Sequence, residues 1–134
     1  MIKLKDILLE GMSKNDIQSV IDRVYPKMVK ALGRARRGTP KVEMHTNIYV
    51  RVSGIEGADG EANPHAEYEW NKNEIYLYLP KMINEEEVIR ALLHEYTHAT
   101  QDPNKMKEYR KLGYAKNPYE KAATKAEGNW KKYL

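Results

Sequence analysis

The chain of 134 residues contains no cysteine. Disulfides, thiolate nucleophiles and cysteine-ligated zinc sites are excluded together, and the absence suits a reducing compartment. A secretory signal needs an unbroken apolar core of about seven residues or more, whereas Met1 to Glu10 alternate charge with aliphatics. No apolar run approaches the roughly 20 residues that span a bilayer. A soluble, cytoplasmic protein is the expectation. Neither internal repeats nor low-complexity tracts occur. The length suits a single domain over residues 1–134, large enough to bury a core without covalent staples.

What is present is charge, and it is unevenly spread. The net charge is +4. Eight Lys/Arg lie between Arg23 and Arg51 against Glu43 alone, and six acids lie between Ser53 and Leu79 against Lys72 alone. From Lys105 onward, nine basic residues face three glutamates. Solvated faces are the plain reading. A basic surface holding an anionic partner such as nucleic acid is the sharper one.

Ser13-Lys-Asn-Asp16 has the spacing of a capping box. Behind it Ile17, Val20, Ile21, Val24, Met28 and Leu32 recur at steps of three and four, as a helix with one buried stripe requires. Pro26 falls inside the pattern and predicts a kink, or two short helices meeting at Tyr25. Gly33 closes the element, and Gly33 to Pro40 forms a basic loop with Arg34, Arg36 and Arg37. From Val42 the period becomes two. Val42, Met44, Ile48, Val50 and Val52 share one face, with Glu43, His45, Asn47, Tyr49 and Arg51 on the other, which describes a half-buried strand. Ser53 to His65, with Gly54, Gly57, Gly60 and Pro64, reads as a mobile connection. Ala66–Trp70 and Glu74–Leu79 alternate again around Asn71-Lys-Asn73, as a hairpin does, and Pro80 ends the second strand.

Asn84-Glu-Glu-Glu87 is a second capping box, its acids placed where the helix dipole favours them. Val88, Ile89, Ala91, Leu92 and Leu93 lead into His94-Glu95-Tyr96-Thr97-His98, so this pentapeptide rides on a largely buried helix. After a basic stretch from Lys105 to Leu112 and then Gly113, Asn117-Pro118 opens a last helix. Its apolar side carries Tyr119, Ala122, Ala123, Ala126 and Trp130. The order helix, strand, hairpin, motif helix, final helix implies an α+β domain with a small, mainly antiparallel sheet.

His94 and His98 are four residues apart, so on a helix their rings leave one face about 6 Å apart along the axis. That separation lets two imidazoles take two corners of a tetrahedral zinc. Glu95, one step round, falls beside the open position, where it can take a proton from water attacking a carbonyl. A catalytic zinc usually has three protein ligands, and no histidine lies downstream of His98. A closely following third histidine would need Gly at position 101 and His at 104, where Gln101 and Asn104 stand. The third ligand is then an acid: Asp102, Glu108, Glu120 or Glu127. Asp102 lies two helical turns from His94, about 12 Å along the axis, too far to share one ion. Glu108 sits on a stretch dominated by lysines. Glu120, one turn into the last helix, is the better placed, although its spacing from Asn117 would also serve a helix cap. Glu127 is the other choice, and two turns further down the same face it suits a hydrogen-bonding partner of a ligating histidine. His45 reads as a surface or hydrogen-bonded residue, and His65 has a slight prospect of approaching the metal. Tyr109, Tyr114 and Tyr119 each offer a phenol for oxyanion stabilisation.

His94, Glu95, His98, the trailing Gln101, and Asn117-Pro118-Tyr119-Glu120 with Ala123 resemble the zincin metallopeptidases. More narrowly, they resemble the gluzincin branch, in which a later helix supplies a glutamate ligand. The resemblance covers roughly Ile75 to Trp130. Small phage and bacterial proteins of this kind show Pro-x-Glu-x-Glu-Ala; Ala122 replaces the second glutamate here, leaving Glu120 as the matching acid. The resemblance implies a minimal zincin-like domain and hydrolysis of peptide bonds in a peptide or protein substrate. By analogy, Glu74 to Leu79 would border the cleft and pair with an extended substrate. Two alternatives belong to other classes. One is a nucleic-acid-associated protein docking phosphates on Arg34–Arg37 and Lys105–Lys111, which could combine with proteolysis as in the SprT-like proteases, although their third ligand is typically histidine. The other is an inactive zincin domain used for protein contacts.

Overall fold

A computed structural model describes residues 12–46 and 65–134. The first helix, α1 (Lys14–Leu32), begins where expected: Ser13 Oγ accepts the Asp16 amide at 3.0 Å. Ile17, Val20, Ile21, Val24 and Met28 form its buried stripe, but Leu32 is exposed because the chain turns away at Gly33 with φ 89°. The helix runs unbroken through Pro26 and does not divide at Tyr25. Proline removes one helical hydrogen bond, yet Val24 and Met28 on either side are buried in the same core and hold both halves in register.

Three strands follow, β1 (Lys41–His45), β2 (Ala66–Glu69) and β3 (Glu74–Tyr78), in the order β1-β3-β2. The β2–β3 hairpin is antiparallel as its alternation implies, and Asn73 makes its turn with φ 56°. The sheet as a whole is mixed, not mainly antiparallel, because β1 runs parallel to β3. Alternation identifies strands but not their neighbours, and β1 pairs with the far strand of the hairpin. Strand positions expected at Asn47 to Val52, and the connection from Ser53 to Pro64, lie outside the described residues. Being central, β3 is buried on both faces. Ile75 and Leu77 join the main core, while Tyr76 and Tyr78 are buried on the other face beside His45 and Glu67.

The motif helix α2 (Glu85–Ala99) is capped by Asn84, whose side chain accepts the Glu87 amide at 2.9 Å. Val88, Ile89, Leu92 and Leu93 are almost fully buried, each contributing about 1.5–3 kcal/mol of transfer free energy. This helix is the hub of the fold, touching α1, the β2–β3 hairpin and α4 (Pro118–Glu127). Between them lies α3 (Pro103–Tyr109), and a 3-10 turn at Trp130–Tyr133 returns Tyr133 to the core. The inward side of α4 is not the apolar stripe expected: Glu120 and Ala123 are buried, while Ala122 is exposed. Among the described residues no helix is long and apolar enough to cross a membrane.

The basic loop is tied to its neighbours. The Arg36 amide donates to the Ala99 carbonyl at the end of α2, and the Arg37 guanidinium donates to the carbonyls of Trp70 and Asn71. Arg37 therefore secures the hairpin turn. Tyr96 completes the anchorage: its ring is buried edge-on to Tyr25, and its hydroxyl donates to the Gly33 carbonyl at 2.6 Å. Burial pushes the Tyr96 hydroxyl above its ordinary value, so the phenol stays protonated and keeps donating. Tyr96→Phe leaves the Gly33 carbonyl without this donor, and chemical denaturation should show a loss of about 1–2 kcal/mol; unchanged stability would remove Tyr96 as the anchor.

Candidate metal centre

The spacing of His94 and His98 places both rings on the inner face of α2, with centroids 5.1 Å apart, and both side chains are buried. Facing them is the first turn of α4. Asn117, itself buried, accepts the amides of Tyr119 and Glu120 at 2.9 and 3.3 Å, and Pro118 occupies the opening position of the helix. Asparagine thus supplies the cap. Glu120 Oε1 reaches across to His94 Nε2 and His98 Nε2, 3.1 Å from each. Ligand atoms of these three buried residues lie within 4.8 Å of one another. The acid expected to return to the motif helix does so, and the group could hold a metal ion.

Each imidazole is steered from behind. His94 Nδ1 lies 2.7 Å from Glu127 Oε2, and His98 Nδ1 lies 2.7 Å from Gln101 Oε1. A carboxylate or amide oxygen only accepts, so both Nδ1 atoms carry the hydrogen and both Nε2 atoms face Glu120. Gln101 also donates to the Tyr119 carbonyl at 3.1 Å, joining the end of α2 to the start of α4. Two imidazole nitrogens and one carboxylate oxygen thus converge on a point, with the outer nitrogen of each imidazole already bonded, a donor set that could hold a metal ion.

Electrostatics point the same way. Burial by itself lowers the His94 imidazole, but Glu95, Glu120 and Glu127 outweigh it and push the group up to about 11. Burial likewise opposes the charged form of His98, and Glu120 with Glu95 reverses it, raising that group too. A cage of carboxylates around two imidazoles binds positive charge, whether protons or a metal cation.

Glu95, buried like the histidines, lines a cleft of about 200 Å³ together with His94, Glu127 and Tyr114. Of the three candidate phenols, Tyr114 is the one on this wall. Tyr109 and Tyr119 pack edge to face at 5.0 Å, and the Tyr119 hydroxyl accepts the Asp102 amide. Asp102 caps α3 through the Asn104 amide, and Glu108 is exposed, so neither joins the histidines. His45 packs against Tyr76 at the other side of the sheet. His65 lines the cleft, held by Glu87 at 2.9 Å, a pairing that residue spacing does not reveal. Gln101 as a clamp and Arg90 on the cleft wall were not legible as such either; Arg90 stands four residues before His94, the one signal that places it on the same face.

No family model, curated protein or solved structure matches the chain.

The raised imidazole values bear on stability in the absence of metal. A group whose folded value exceeds its unfolded one stabilises the fold fully below the unfolded value, 6.5 for His94, and that contribution disappears as pH climbs through about 11. Thermal melts in excess chelator should therefore fall progressively as pH is raised from 6.5 towards 11. A melting temperature that is flat or rising over that window would contradict the charged cage.

Proposed function

We propose that this chain is a zinc-dependent metallohydrolase that cleaves peptide bonds, with His94, His98 and Glu120 as metal ligands and Glu95 as general base. The observation that carries the reading is the convergence of those three donors beside a carboxylate that opens onto a cleft. Zinc, when bound, supplies an acidified water and polarises the carbonyl oxygen of the substrate.

The protein's own groups perform the remaining tasks. Glu95 follows His94 directly and lines the cleft with it, where its carboxylate can accept a proton from the attacking water and pass it to the departing amine. The Tyr114 phenol on the cleft wall is a donor for negative charge developing on the carbonyl oxygen. Glu127 and Gln101 hold the two imidazoles against rotation, so the ligand geometry need not reorganise during reaction.

The place for an extended substrate differs from the one expected by analogy. With β1 on one side and β2 on the other, both edges of β3 are paired, so Glu74–Leu79 cannot accept another strand. Among the described strands β2 is an edge, and Ala66 at its start lines the cleft. A peptide laid along the cleft therefore runs beside β2, with α2 opposite.

Glu95→Gln separates chemistry from metal binding. The variant should bind zinc like the wild type while peptide cleavage, followed by mass spectrometry of a diverse peptide pool, drops about 10²–10⁴-fold. Full activity in Glu95→Gln would remove Glu95 as the base. A zinc-loaded wild-type protein that cleaves no peptide in the pool would remove the peptidase reading while leaving the metal centre intact.

A further inference from the structure

Behind the histidine clamp lies a second layer of charge. Arg90 stands one helical turn before His94 on α2, and its Nη1 lies 4.0 Å from Glu127 Oε1, while the other oxygen of that carboxylate holds His94 Nδ1. Its Nε is bonded to Glu86 at 2.7 Å, and the guanidinium lies 5.9 Å from the centroid of the Trp130 ring. One planar cation thus joins the first turn of α2, the end of α4 and the C-terminal turn. We infer that Arg90 is a positioning residue for the metal centre, acting through Glu127 on His94. The inference rests on the reading of His94, His98 and Glu120 as zinc ligands.

The reason is electrostatic as much as geometric. Glu127 is partly exposed and stands near two other carboxylates, Glu95 and Glu120, so like-charge repulsion would drive it outward. With neutral imidazoles and one divalent ion, the three carboxylates leave one negative charge in excess. Arg90, whose charge is shared with Glu86, stands where it offsets part of it. The fork matters beyond the charge: a guanidinium can address Glu86 and Glu127 at once in a fixed plane, whereas a lysine ammonium is a flexible point charge. With its fork gone, Glu127 samples more orientations, and the His94 ring loses its fixed tautomer and angle for part of the time.

Arg90→Lys tests this with the net charge unchanged, so through-space repulsion of the metal is held nearly constant. Zinc affinity is read by competition with a chromophoric chelator at fixed pH, in the wild type, Arg90→Lys, Glu127→Ala and the double variant. Arg90→Lys should weaken zinc binding by about 3–10-fold, a fraction of the 10–100-fold expected for losing Glu127 itself. In the Glu127→Ala background the same lysine substitution should change nothing, because the path is already cut. Equal affinity of Arg90→Lys and wild type would overturn the inference. So would a loss that persists without Glu127, which would assign Arg90 a general structural role. A wild-type protein that takes up no zinc would instead overturn the metal reading and this inference together, a result distinct from either of those.

Discussion

The candidate centre depends on one contact, the Glu120 Oε1 atom between His94 Nε2 and His98 Nε2 at 3.1 Å from each. Two helices far apart in sequence must present buried polar groups to one another within a few tenths of an ångström. The core supplies the rigidity on one side, since α2 is gripped by α1, the hairpin and α4 along most of its length. On the other side the start of α4 is set by polar chemistry. Asn117 caps it, and Gln101 donates to the Tyr119 carbonyl, tying its first turn to the end of α2.

A cluster of this kind is a poor way to stabilise a protein. Buried ions and carboxylates lose hydration that their pairing only partly restores, and apolar residues of similar volume would usually hold the helices together as well or better. The inward face of α4 shows the choice plainly, with Glu120 and Glu127 where Ala122 and its apolar neighbours were expected to pack. Such local departures from the simplest packing rule are expected at functional or strained sites, and here the departure surrounds the point where His94, His98 and Glu120 converge.

Much of this was legible beforehand, for reasons that can be named. The N-caps expected at Ser13 and Asn84 are local hydrogen-bond patterns, and both appear where their spacing places them. Four-residue spacing fixes His94 and His98 on one helical face, and chain reversal over the segment after His98 favours Glu120 over Glu127 as the acid that meets them, while which histidine Glu127 would bond was not legible. Non-local pairing was not legible. A strand's alternation shows its faces but not its partners, so the parallel β1–β3 pairing and the central position of β3 could not be anticipated. Continuity of α1 through Pro26 depends on core contacts on both sides of the proline. The roles of Gln101, Arg90 and the His65–Glu87 pair depend on tertiary approach alone.

Metal content tests the His94, His98 and Glu120 centre most directly. Native mass spectrometry of zinc-supplied protein should show close to one zinc per wild-type chain and marked loss in Glu120→Ala, whose histidines retain only two of the three donors. Wild-type protein that carries no zinc after supply would contradict the metal centre. Full occupancy in Glu120→Ala would contradict the claim that the contact between the two helices is what holds the ion.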